Sequence, residues 1–70
     1  RTLFVCQLES ATTEGELKEL FGVHGPVRRV IGALVPSRGI AFVTFFDIRH
    51  ASAALTALQA HELHGKPMEV

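Results

Sequence analysis

Seventy residues carrying seven basic and seven acidic side chains make one small domain of zero formal charge, near the lower size limit for a self-sufficient core. A hydrophobic fraction of 47% excludes a disordered chain, and no apolar run approaches the roughly 20 residues that span a bilayer. The single cysteine excludes an internal disulfide and fits a reducing, intracellular setting, nucleus or cytoplasm.

The chain opens on a strand. Leu3-Phe4-Val5-Cys6-Gln7-Leu8 alternates, with Phe4 and Cys6 on one face and Leu3 and Val5 on the other. Glu9-Ser10-Ala11-Thr12 is a polar loop, and Thr13 with Glu16 three residues on forms a capping box. Leu17, Leu20 and Phe21 follow at helical spacing, until Gly22-Val23-His24-Gly25-Pro26 stops the helix. Val27 to Ala33 reads as a second strand, Val27 and Val30 inward, Arg29 and Ile31 outward. The three-residue phase between the two valines implies a bulge.

Pro36-Ser37 gives a short turn into Arg38-Gly39-Ile40-Ala41-Phe42-Val43-Thr44-Phe45, a third strand closing a hairpin. Its alternation sets Arg38, Ile40, Phe42 and Thr44 against Ala41, Val43 and Phe45. Asp47 caps a second helix with Ala51, Ala54, Leu55 and Leu58 as its apolar stripe, small enough for close approach to a sheet. Leu63, Gly65-Lys66-Pro67 and Met68-Glu69-Val70 then give a turn and a last short strand. The order strand, helix, strand, strand, helix, strand is the split βαβ arrangement, an α+β, ferredoxin-like sandwich. Two right-handed crossovers put both helices on one face of a four-stranded antiparallel sheet, with the first and third strands central and the other face open.

An exposed Phe on each of two neighbouring strands, beside an Arg, is a platform for stacking bases and pairing a phosphate. Zero net charge opposes this, since electrostatics normally supplies most sequence-independent affinity for nucleic acid. His50, His61 and His64 invite a metal reading, but structural zinc takes about four ligands and no paired cysteine or suitably spaced acid completes the set. Nucleophile, base and orienting acid are not assembled, and no glycine-rich phosphate loop follows a strand. A hydrolase of this architecture, acylphosphatase-like, needs an anion-cradling loop with Arg after the first strand, which Glu9-Ser10-Ala11-Thr12 does not supply. Neither an enzyme nor a cofactor is expected.

The chain resembles the RNA recognition motif family over nearly its whole length. Arg38 to Phe45 follows that family's pattern of basic residue, Gly, aromatic, Gly or Ala, Phe, Val, any, aromatic. Leu3 to Leu8 is similar to its partner signature of aliphatic, aromatic, aliphatic, any, Asn, Leu, and Leu17 to Phe21 with Gly25-Pro26-Val27 looks like the family's first helix and turn. Phe46-Asp47-Ile48-Arg49-His50-Ala51 and the short hairpin loop are similar to domains of meiosis-regulating RNA-binding proteins. The resemblance implies one RNA recognition motif over residues 1–70, cut from a longer protein.

Carried over by position, it makes Phe4 and Phe42 base-stacking residues and Arg38 a phosphate contact, with Ile40 and Gln7 at further signature positions; independently of it, Arg28 and Arg29 read either as a basic rim to the same face or as a solvated pair. Ile40 stands where a third aromatic is common, Gln7 where Asn is usual, and His24 where an aromatic is usual. Leu34-Val35-Pro36-Ser37 lacks the basic residues of longer clasping loops, and Glu69 would repel phosphate from the open face. The expected partner is single-stranded RNA, bound weakly by a monomeric domain, helped by other domains of the same protein or by a protein partner. The competing reading is a protein-interaction or self-association module on the same fold, favoured by zero charge and Ile40. The variant of this family that grips a tryptophan peptide uses an Arg-x-Phe segment, which His61-Glu62-Leu63-His64-Gly65 lacks.

Overall fold

The computed structural model describes residues 1–70. Its elements run β1 (Thr2–Val5), α1 (Glu14–Gly22), β2 (Val27–Ile31), α2 (Val35–Arg38), β3 (Ala41–Phe45) and α3 (Ile48–Leu58). A hairpin of two very short strands, β4 (Glu62–Leu63) and β5 (Lys66–Pro67), follows. No helix is long and apolar enough to cross a membrane.

Each long element has a local cause. Thr13 holds extended backbone before α1, and its Oγ1 accepts from the Glu16 amide at 3.1 Å while Glu16 Oε1 accepts from the Thr13 amide at 3.0 Å. The expected capping box is therefore closed in both directions, satisfying two amide donors that the first turn leaves free. Asp47 caps α3 in the same sense, its Oδ1 accepting from the Arg49 amide at 2.8 Å. Leu17 and Phe21 of α1, and Ala51, Ala54 and Leu58 of α3, bury against Val5, Ala41, Val43 and Phe45 of the sheet. Leu55, expected on that stripe, is 38% exposed and lies off it.

β3 is the central strand and pairs antiparallel with β1 and β2. Between Val27 and Arg29 the β2 register shifts, so Val27 opposes Phe45 while Arg29 opposes Thr44. This is the bulge that the valine phase required; Arg28 is the extra residue, and Val27 and Val30 both keep to the core side. β2 stops at Ile31 rather than reaching Ala33, because the Gly32 amide donates at 2.8 Å to Glu14 Oε2 on α1 instead of to a neighbouring strand.

Two expectations about the sheet are overturned. The chain before β3 is not a strand from Arg38: Val35–Arg38 form one turn of helix, with the Arg38 amide donating to the Leu34 carbonyl at 2.8 Å. Pro36 sits in its first turn and Gly39 caps it in the left-handed region at φ 64. Pro near the start and Gly after the end is a helix signature, and Val35 contributes a side chain that the core takes in at 2% exposure.

The main sheet has three strands, ordered β1-β3-β2, rather than four, so β1 flanks the centre instead of sharing it. The fourth strand is reduced to one bridge, Cys6 to Glu69, closed by bonds of 2.7 and 3.0 Å. It goes no further because Lys66–Pro67 are used in the β4–β5 hairpin and the Gln59 amide takes both backbone groups of Val70, at 2.9 and 3.1 Å. On the other side of the bridge Gln7 adopts φ 60, which turns the chain off the sheet and sends Leu8 into the core.

Candidate functional site

The helices leave one face of the sheet uncovered, and the register determines what it displays. Cross-strand partners share a face. Phe4 opposes Phe42, which opposes Ile31, giving an apolar row across all three strands. Thr2 opposes Thr44, which opposes Arg29, giving a polar row one step along. Phe4 is 48% and Ile31 42% exposed, and Phe42 between them is half-buried. The two rings lie 5.3 Å apart between centroids, tilted by 42°. That separation is within the range in which aromatic pairs attract, so the rings brace each other. The two threonine hydroxyls are linked at 2.9 Å.

The expected site residues divide into two groups. Phe4, Phe42 and Arg29 stand on the open face, as the alternation and the bulge implied. Ile40 lies one residue before β3 and is half-buried. Gln7 and Arg38 lie elsewhere. Gln7 follows the end of β1, exposed, with its Nε2 donating to Glu69 Oε2 at 3.2 Å. Arg38, expected beside Phe42 on the same strand face, is the last residue of α2 and stands off the sheet, because the left-handed Gly39 breaks the alternation that would have carried it there.

Both Gln7 and Arg38 line a polar cleft of about 350 Å³ at the end of β1, together with Glu9, Ser10, Ser37 and Lys66. Lys66 was not singled out from the sequence; a lysine in a predicted turn carries no signal, and only the β4–β5 hairpin brings it here. Ile31 was legible as an outward residue of β2, though its place in the aromatic row needed the register.

The charges around the face are sparsely paired. The ion pairs of the molecule are Arg49 with Asp47 and His64 with Glu16, which leaves Arg29, Arg38 and Lys66 without an acidic partner. The Ala11 amide, at 2.8 Å, and then the Ser10 hydroxyl hold the Glu9 carboxyl below its ordinary range. The Thr13 amide and then the His64 ring do the same for Glu16. His64 therefore clasps α1 from the β4–β5 turn, and no three metal-ligating side chains are gathered anywhere in the structure.

Comparison with known proteins places this arrangement. The family model described as RNA recognition motif matches residues 3–69. The chain is 37% identical over 70 residues to Protein MEI2-like 5 of Oryza sativa subsp. japonica, covering all of this chain and 8% of that protein. It is 38% identical over 68 residues to Flowering time control protein FPA of Arabidopsis thaliana, covering 97% of this chain and 7% of that one. The chain thus spans less than a tenth of the length of these two relatives.

Among solved structures, the N-terminal RNA binding domain of a hypothetical protein superposes with a TM-score of 0.81 at 29% identity, over 97% of this chain and 73% of that one. The C. elegans NONO-1 homodimer superposes at 0.85 and 32% identity, over 97% of this chain and 26% of that one. The match along the chain, the signature residues and the sheet with one open face agree: the chain belongs to the RNA recognition motif family, a family of RNA-binding domains and not of enzymes.

Proposed function

We propose that the chain binds single-stranded RNA on the open face of the sheet, with Phe42 stacking one base and Phe4 a neighbouring base. The observation that carries this is the Phe4–Phe42 pair, aligned in register on adjacent strands and turned to solvent. Of the five phenylalanines, burial accounts for Phe21 and Phe45; Phe46 is exposed beyond the end of β3, and only Phe4 and Phe42 are exposed or half-buried as a cross-strand ring pair. Ile31 and Ile40 offer aliphatic contact to a sugar or base edge without a π-face. Arg29, exposed beside Thr44, pairs a phosphate at one margin of the row, and Arg38 does so near the other, where Gln7 presents its amide. The relatives include an RNA binding domain, which agrees with this assignment.

Stacking contributes about 1–3 kcal/mol per base, so two rings supply roughly 2–6 kcal/mol. Its upper end corresponds to tens-of-micromolar dissociation. The isolated domain is therefore a weak binder. The test is titration of the isotope-labelled domain with a degenerate pool of short single-stranded RNA at low salt. Shifts gathered on Phe4, Phe42, Ile31 and Arg29 are expected, and Phe42→Leu should weaken binding by roughly 5- to 150-fold. Unchanged binding by a folded Phe42→Leu variant would sink the proposal.

Self-association or a protein contact through the same row is the second reading, favoured by the exposure of Ile31 and by zero net charge. The two differ in salt response. RNA contact weakens as salt rises, whereas an apolar protein contact barely changes.

A further inference from the structure

We propose that the outer face of α1, with Leu63 of β4 beside it, docks a short cationic segment of a protein partner, one that carries aliphatic side chains between arginines or lysines. Glu16, Glu19, Leu20 and Val23 are spaced three and four residues apart, so they share one face of the helix. Val23 caps α1 and keeps right-handed helical angles, φ -60 and ψ -29, which carries that face to the end of the helix. With Leu63 these four side chains line a groove of about 360 Å³. Leu17 and Phe21 hold α1 to the covered side of the sheet, so the groove lies away from the Phe4–Phe42 row. The inference is therefore independent of the RNA platform, and of a protein contact through that row.

The floor of the groove is apolar and fixed. Leu20 and Leu63 are half-buried and pack against the core, whereas Val23 is 79% exposed, more than any other exposed large apolar side chain of the chain. Packing within the domain makes almost no use of it, and an apolar position continuous with the core but open to solvent is a contact surface. The His64 ring meets Glu16 and ties the β4–β5 turn to α1, while Leu63 pairs with Lys66 across the hairpin. The two walls of the groove are thus joined before any partner arrives.

The rim decides the class of occupant. Glu16 is engaged by His64, but Glu19 has no ion-pair partner, and no lysine or arginine lines the groove. Lys18, the only cation of α1, shares no three- or four-residue spacing with the groove residues and faces elsewhere. Free carboxylate beside apolar surface attracts a cation and repels a phosphodiester backbone, which sets RNA aside as the occupant. It also disfavours a second copy of this chain, since a two-fold contact through this face brings Glu19 against Glu19.

The test is fluorescence anisotropy with a labelled decapeptide in which two leucines are flanked by arginines, with amide shifts of the isotope-labelled domain as the map. Shifts are expected at Glu19, Leu20, Val23 and Leu63 and not at Phe4 or Phe42. Glu19 and Val23 are exposed, so Glu19→Lys and Val23→Ser should fold as the parent does. Glu19→Lys turns an attraction at an exposed rim into a repulsion of similar size and is expected to weaken the peptide roughly 2- to 30-fold. Val23→Ser removes apolar contact and should weaken it about tenfold. Both variants should bind short single-stranded RNA as the parent does, because neither residue touches the sheet face.

Parental peptide affinity in both folded variants would overturn the proposal, as would shifts confined to the sheet row or no binding at about 1 mM peptide. Concentration-dependent shifts of Glu19 and Val23 in the domain alone would overturn it in favour of a second copy. The same amides shifting with RNA would give the groove to nucleic acid instead.

Discussion

At residue scale, Gln7 shows why the family signature prefers a different side chain at that place. Its φ of 60 lies in the left-handed region, which the chain enters to leave the sheet after Cys6 and deliver Leu8 to the core. The left-handed region disfavours most L-residues by about 1–2 kcal/mol and is tolerated best by Gly and Asn. Asn at this position therefore carries a backbone advantage over Gln. Gln7→Asn is expected to stabilise the fold by up to about 1 kcal/mol, read as a higher urea midpoint at unchanged m-value. Gln7→Gly should help less, because the freer unfolded chain returns about 0.4–1 kcal/mol. Destabilisation by both substitutions would show that φ 60 carries no strain here. Phe4 and Phe42 stand at the other extreme: their outward facing is set by strand period alone, so the sequence displayed them directly.

At the scale of elements, the difference between what was legible and what was not falls at Gly39. The stretch Arg38 to Phe45 alternates in residue type throughout, yet only Ala41–Phe45 are strand. Alternation describes side-chain facing only while the backbone stays extended, and a left-handed glycine resets it. The cue for the helical turn was present in Val35-Pro36-Ser37-Arg38-Gly39, an apolar anchor, an early proline and a capping glycine, but the hairpin pattern hid it. The capping box, the bulge in β2 and the α3 cap were all readable, because each depends on residues within a few positions of one another. The missing fourth strand was not, since it turns on the Gln59 side chain reaching Val70 eleven positions on.

Gly39→Ala tests the turn directly. It is expected to cost at least about 1–2 kcal/mol from the backbone angle, more from the contact with the Leu8 carbonyl, and to disturb the cleft while sparing the Phe4–Phe42 pair. Thermal unfolding with aromatic shifts as a second readout checks both parts.

The caps carry a pH dependence. Glu9, Glu16 and Asp47 are all depressed: Glu9 and Glu16 chiefly by backbone amides, Asp47 by the Arg49 side chain and then the Arg49 amide. A depressed carboxyl contributes stability that is full above its unfolded pKa and lost as pH falls through its folded value. Unfolding temperature should thus hold down to the ordinary carboxylate range, about 4, and decline below it.

For the molecule as a whole, neutrality sets the character of binding. A domain with seven charges of each sign has no strong long-range field to steer a polyanion, so what affinity it has must come from contact. The contacts in reach are two rings and two unpaired cations, Arg29 and Arg38. Two phosphate contacts on a single strand, one at Arg29 and one at Arg38, give a log–log salt slope of about −1.4, so affinity should fall only roughly sevenfold between about 50 and 200 mM salt. A strongly basic RNA-binding surface would lose orders of magnitude more over the same interval. The prediction is a micromolar dissociation constant at low salt with that shallow slope, measured on the domain alone with short single-stranded RNA. A slope steeper than about −4 would mean that more phosphates are held than these side chains can account for. Nanomolar affinity would mean the same of bases, since two stacking surfaces supply at most about 6 kcal/mol. Within those bounds useful affinity has to come from a second site on the same RNA. A neighbouring module on a short linker raises the effective concentration to the millimolar range without any new contact on this domain. The proposed platform, if it binds as predicted, would add to such a neighbour's binding without trapping RNA by charge alone.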